Sequence, residues 1–135
     1  MIEGEITAWL LRVESSLLVH MPAGNFSWDD AEAPLSPAVV ARRGQGKAEY
    51  NTHGSIDLSR TEVTFECYAA QKLDCVLLAQ AVGYEVGLLR GGEIFWTMFK
   101  EMPDGGFHRE SGRFRRDVKF EIVHREGGLS VWLPV

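Results

Sequence analysis

The chain has 135 residues, 45% of them hydrophobic, enough for one modest core and a single domain. Its formal net charge of -5 argues against a role in gripping nucleic acid, because phosphate neutralisation needs a concentrated basic surface. No apolar run approaches the roughly 20 residues of a membrane span, and the start of the chain carries Glu3 and Glu5 where a secretory signal would be basic. The expectation is a protein made in the cytoplasm with no membrane partner.

Residues 2–18 read as an amphipathic helix. Ile2, Ile6, Trp9, Leu10, Val13 and Leu17 recur at helical spacing on one face, with Glu3, Arg12 and Glu14 off it. From His20 to Pro37 the prolines, Gly24 and the acidic Asp29, Asp30 and Glu32 give loop composition. A connection of that length inside a small domain is usually functional or seated on a neighbour.

Ala38 to Arg43 suits a short strand, and Gly44, Gly46, Asn51 and Gly54 then supply turn positions for a long hairpin with a projecting tip. The return strand is clearer: over Thr61 to Tyr68, Val63, Phe65 and Cys67 alternate with Glu62, Thr64 and Glu66. Ala70 to Leu89 reads as a second helix, apolar on two sides. Leu73, Val76, Leu77, Tyr84 and Leu88 form one face, and Leu78, Val82 and Leu89 lie nearly opposite. Such a helix in a small domain is expected to be covered on both sides. Ala79, Gly83 and Gly87 make a row of small residues, fitting either close backbone approach or a glycine that merely sits near a helix end.

After Gly91-Gly92, Glu93 to Lys100 is apolar on both parities and is expected to be a strand buried on both faces. The segment 102–106 has turn chemistry. From Phe114 to His124, Phe114, Val118, Phe120 and Ile122 share one parity and Asp117, Lys119 and Glu121 the other, a second half-exposed strand. Past Gly127-Gly128, residues 129–135 form a C-terminal extension that alternates like an edge strand, suited to folding back on its own sheet or to joining a neighbour's.

Little in this sequence speaks for catalysis. His20, His53, His108 and His124 are scattered without metal-ligand spacing, and Cys67 and Cys75 read as small buried hydrophobes in a reducing compartment. No phosphate-cradling loop or nucleophile elbow is present. Asp29, Asp30 and Glu32 read as solvated loop charges. No cofactor or metal is expected, and the chain reads as a non-enzyme. The one electrostatic asymmetry lies in residues 107–125, which hold six of the fourteen basic residues against three of the nineteen acidic ones. A basic edge on an acidic body has the ingredients for head-to-tail self-association; an ordinary solvated strand face is the alternative.

Taken together, VHMP at 19–22, PAVVARRGQGKAEY at 37–50, RTEVTFECYAA at 60–70, LLAQAV at 77–82 and RRDVKFEIVHRE at 115–126 resemble the tail-completion, or tail-terminator, proteins of long-tailed bacteriophages. The resemblance spans about residues 5 to 126, and its motifs bear on fold, not on an active site. It implies a small α+β domain over residues 1–126, an antiparallel sheet of about four to five strands backed by two helices in the order α-β-β-α-β-β, assembling into a ring. The implied function is a structural virion protein of the tail or neck, a homohexamer that caps the finished tail tube. Its implied partners are the tube protein and a head-completion or stopper protein of the neck, with double-stranded DNA passing through the lumen without specific binding. Candidate contact residues are Gln45, Lys47, Glu49, Tyr50 and His53 on the projecting loop, facing tube or neck. Arg113, Arg115, Arg116 and Lys119 are the candidates facing the next subunit. The alternatives are another neck or head-completion component and, further off, a small ligand-binding module or enzyme. Two departures from the family pattern stand out: the second helix begins AAQK, without a capping side chain, and residues 127–135 have no counterpart.

Overall fold

The computed structural model describes residues 2–29, 37–49, 58–108 and 112–125. Helix α1 (Ile2–Leu10) is followed by 3-10 turns at Ser16–Val19 and Ala23–Asn25, then by strands β1 (Phe26–Trp28), β2 (Ala38–Glu49) and β3 (Leu58–Ala69). Helix α2 (Lys72–Leu88) leads into β4 (Ile94–Glu101), β5 (Asp104–His108) and β6 (Arg113–Arg125). The strands form one six-stranded sheet in the order β1-β2-β3-β6-β4, with β5 pairing β6 beyond the end of β4. Every described pairing is antiparallel except β1 with β2. The expected class is therefore observed, a small α+β domain with two helices, and its order is α-β-β-β-α-β-β-β.

The alternation read in β3 and β6 builds the core. Val63 lies opposite Phe120 and Phe65 opposite Val118, all on the face beneath the helices and essentially without solvent contact. Ile2, Ile6 and Leu10 come down from α1, and Leu78, Val82 and Val86 from α2, onto that face. Deleting one such large side chain removes both its transfer free energy and its packing partners, so the sheet's registry and the helices' seats stabilise each other.

Four expectations need correction. The first helix ends at Leu10 instead of running to residue 18: the chain turns, Ser15 accepts a hydrogen bond from the Leu17 N–H at 3.2 Å, and Val13 is left 91% exposed. The segment 20–37 carries β1, whose three residues are too few to show periodicity. The sheet has six strands instead of four or five, because β1 and β5 were both read as loop or turn. Strand β4 is not buried on both faces. It is the last strand of the described sheet on that side, so only Ile94 and Thr97 are buried while Phe95, Trp96 and Phe99 stand in solvent.

The hairpin of β2 and β3 is longer than its core strands suggested, pairing out to Glu49 with Leu58 across a register shift between Arg43 and Gly46. Helix α2 begins after Gln71 with no side-chain cap, as its AAQK start implied. Its Leu78–Val82 side is buried and its Leu73–Tyr84 side is open, so of the two expected covers the fold supplies one. Residues 127–135 lie outside the described residues.

Two glycines show opposite demands. Gly92 adopts φ 58°, and a Cβ there would collide with the Glu5 carboxylate, both of whose oxygens accept the Glu93 N–H at 3.0 Å. Gly4 has helical geometry with nothing near its Cβ position. Gly92→Ala is expected to destabilise by roughly 1–2 kcal/mol, and Gly4→Ala to stabilise by roughly 0.5–1 kcal/mol. Urea denaturation of the two variants checks the opposite signs.

Candidate interaction surfaces

The sheet has two unlike faces. Opposite the helices, Glu66 is buried and accepts hydrogen bonds from Arg42 Nε at 2.7 Å, the Tyr68 hydroxyl at 2.9 Å and Arg115 Nη2 at 3.1 Å. Arg115 also donates from Nε to Asp117 at 2.8 Å. Burial pulls the Glu66 pKa upward, but the donors Arg42 and Tyr68 and the charge of Arg115 outweigh it and hold the carboxyl below its usual range. The Tyr68 hydroxyl is pushed to about 12, by burial and then by its bond to Glu66. Arg115 is held even more firmly protonated, chiefly through its bond to Asp117. Further along the same sheet, Lys119 lies 3.3 Å from Glu101, and Arg60 and Lys100 both reach Glu121, at 3.0 and 3.5 Å.

The nine contact residues expected from the sequence are thus treated very differently. Gln45, Lys47 and Glu49 lie on β2, where the backbone places Lys47 opposite Arg60 and Glu49 opposite Leu58. Tyr50 and His53 lie outside the described residues. Strand β6 carries Arg113, Arg115, Arg116 and Lys119, but alternation puts Arg113, Arg115 and Lys119 on the outer face and Arg116, opposite Cys67, on the face of the helices. Carboxylates of the same chain meet three of them: Glu66 and Asp117 for Arg115, Asp104 at 3.8 Å for Arg116, Glu101 for Lys119. The Arg113 guanidinium sits 5.1 Å above the Tyr68 ring. The basic cluster seen in one dimension is largely neutralised in three.

A second polar centre went unnoticed in the sequence. Glu85, on the inner side of α2, is 2% exposed and accepts from Arg12 Nη2 at 2.7 Å, the Ser16 N–H at 2.8 Å and the Ser16 hydroxyl at 2.7 Å. Its backbone carbonyl takes the Trp9 indole N–H at 2.7 Å, and the Arg12 guanidinium stacks 3.7 Å over the Trp9 ring. The signal was available: a glutamate within the Ala81-Val82-Val86-Leu89 stripe requires a partner once buried. Burial tends to raise its pKa, but the two Ser16 bonds and Arg12 prevail and lower it.

The third surface is apolar. Leu73, Tyr84 and Leu88 on α2 and Phe99 and Phe107 on the strands beside it are each at least half exposed. Phe99 lies opposite Phe120 and Phe107 opposite Phe114, with ring centroids 5.7 and 4.9 Å apart, so both aromatics share the side of the sheet on which α2 lies. Beyond Glu85, near Trp9, Arg12 and Gly91, an open cavity measures about 330 Å³.

Both cysteines are buried, and Cys75 Sγ donates to the Cys67 carbonyl at 3.3 Å. Burial pushes both thiols up, Cys75 to about 11, so they remain protonated and behave as small hydrophobes. Among the described residues no group of His, Cys, Asp and Glu is arranged to hold a metal ion, and no described helix is long and apolar enough to cross a membrane.

No family profile matches the chain, and no curated protein matches it. Among solved structures, a chain from the virion of a native gene transfer agent particle superposes with a TM-score of 0.63. The match covers 93% of this chain and 98% of the other, at 15% identity. The shared property is the fold.

Glu85→Gln is expected to cost about 2–3 kcal/mol at pH 7, since hydrogen bonds to a buried charged group are weakened together. The folded-state pKa lies below the unfolded one, so the carboxylate's contribution is complete above the ordinary glutamate value of 4.5 and fades as pH falls through the depressed value. Urea denaturation of parent and variant down an acid series should show the gap narrowing. A gap independent of pH would mean that the charge of Glu85 contributes nothing.

Proposed function

We propose that the protein is a structural component of a phage-like particle and, more finely, that it caps the completed tail tube as a homohexameric ring and presents the docking surface for the neck. The observation that carries this reading is the reciprocal, nearly full-length likeness to a virion chain. A fold match confined to one motif would leave room for an unrelated module, whereas here almost nothing of either chain falls outside the superposition. The sequence resemblance to tail-terminator proteins supplies the finer position in the particle. Fold likeness by itself does not carry function, so the surfaces matter as well.

Those surfaces suit an assembly role without chemistry. The polar face of the sheet spends its cations on carboxylates of its own chain, which leaves little net positive charge for phosphate. DNA in a lumen lined by such a face would pass without being held. The protein acts, on this reading, in the virion, through the tube protein below it and a stopper protein above it, and as a non-enzyme. The hairpin of β2 and β3 reaches towards one of these two partners.

Disruption of the gene in a particle-producing genome, followed by electron microscopy of the lysate, tests the proposal. The expected result is full heads beside separate tails with overlong or ragged tubes, restored to uniform length by the wild-type gene supplied in trans. Free tails of normal length would instead favour a head-completion or connector position, and normal infectious particles would overturn the structural reading.

A further inference from the structure

Helix α2 separates two exposed apolar features of unequal size. On its open side lie Leu73, Leu77, Tyr84 and Leu88, continuing past the open Gly87 and past Gly83 to Phe99 and Phe107 of the outer strands. Gly83 faces this way, with Met102 Cε 3.7 Å from where its Cβ would be, and Thr97 of β4 donates to the Val86 carbonyl at 2.9 Å. Glu85 faces the other way, about 200° around the helix from Gly83, and holds Arg12 and Ser16 on that flank. Val13 and Val19, which bracket this segment, are 91% and 80% exposed, the most exposed large apolar side chains among the described residues.

The larger face has the dimensions of a protein interface. Tyr84 is 64% exposed and Phe99 53%. With aromatic side chains burying about 150–250 Å² each and leucines somewhat less, the six residues together present roughly 600–700 Å². That approaches the roughly 800 Å² per partner of a standard complex and exceeds the apolar patches monomers ordinarily show. The smaller feature is a pair of projecting aliphatic side chains on the opposite flank of the same helix. A surface and a counterpart on opposite flanks of one chain meet when copies associate head to tail, and head-to-tail contacts close into rings.

We infer that the α2–β4 face receives the Val13–Val19 segment of a second copy of this chain, making a heterologous subunit contact. The inference rests on the ring reading proposed above and gives it a specific interface, one that is apolar instead of the ionic contact suggested by the arginines of β6. The contact buries Tyr84 and Phe99 of one protomer against the valines of the next, while Arg90, Lys100 and Glu101 remain at the rim.

Sedimentation of the full chain with two double variants, Tyr84→Glu with Leu88→Glu and Val13→Asp with Val19→Asp, tests this. All four side chains are at least half exposed, so the folded spectrum by circular dichroism should be retained. Wild type is expected to assemble and each variant alone to sediment as a monomer. An equimolar mixture of the two should sediment as a dimer, because one intact face and one intact segment remain. Should either double variant lose its spectrum, the single Tyr84→Glu and Val13→Asp forms replace it in the same mixing scheme. A wild-type chain that is monomeric throughout a concentration series overturns the contact, as does a variant that assembles like wild type. A mixture that fails to dimerise overturns its head-to-tail form. Each of these results leaves the tail-cap reading to the particle assay, which reports tube length whatever surface joins the subunits.

Discussion

The fold depends on how an acidic side chain is accommodated under a helix. Glu85 sits on the stripe with which α2 meets the rest of the protein, where an unpaired carboxylate would be strongly unfavourable. The chain after α1 supplies the compensation. Arg12 and Ser16 converge on the carboxylate, and Trp9 takes the neighbouring carbonyl. For that convergence α1 has to stop at Leu10 and the chain has to turn back, so the end of the first helix is set by a residue more than 70 positions away. The exposure of Val13 and Val19 follows from the same turn.

The two faces of the sheet illustrate two ways of satisfying strands. The inner face buries Val63, Phe65, Phe120 and Ile122 beneath helices. The outer face has Glu66 as its centre, and the charged side chains of β2, β3 and β6 lie across it in ion pairs beside a small buried cluster of Ala38, Val40 and Tyr68. A buried carboxylate with three donors adds directional constraint to a face that has no helix to fix it. Ion pairs of this kind contribute modestly where solvent reaches them, and their larger effect is on the charge presented to the surroundings. A strand that looks basic in the sequence becomes a surface of closely alternating sign.

How much of this could be read beforehand varies with the range of the interaction. Strands β3 and β6 were legible because alternation of Val63, Phe65 and Cys67, and of Val118, Phe120 and Ile122, is a local record of one buried face. The glycine break at 91–92 was legible for the same reason. Strand β4 was misread because Ile94, Phe95, Trp96 and Phe99 are apolar on both parities, a pattern shared by a central strand and by an outer strand that exposes its aromatics. Strand β1 left no signal in three residues. At the candidate surfaces, the clustering of Arg113, Arg115, Arg116 and Lys119 was visible, but the acids that answer them are distributed from Glu66 to Asp117, and pairing at such separations is a property of register alone.

Strand β6 pairs with β3 on one side and with both β4 and β5 on the other, and it follows all three in the chain. During synthesis, at about 5–20 residues per second, β3 therefore emerges several seconds before the strand that completes its ladder. Over that interval its apolar side has α1 and then α2 to pack on, but one row of its backbone donors and acceptors has no native neighbour. The sheet closes from its centre last, which leaves a strand edge open until β6 arrives and makes β6 the step that commits the chain to its fold.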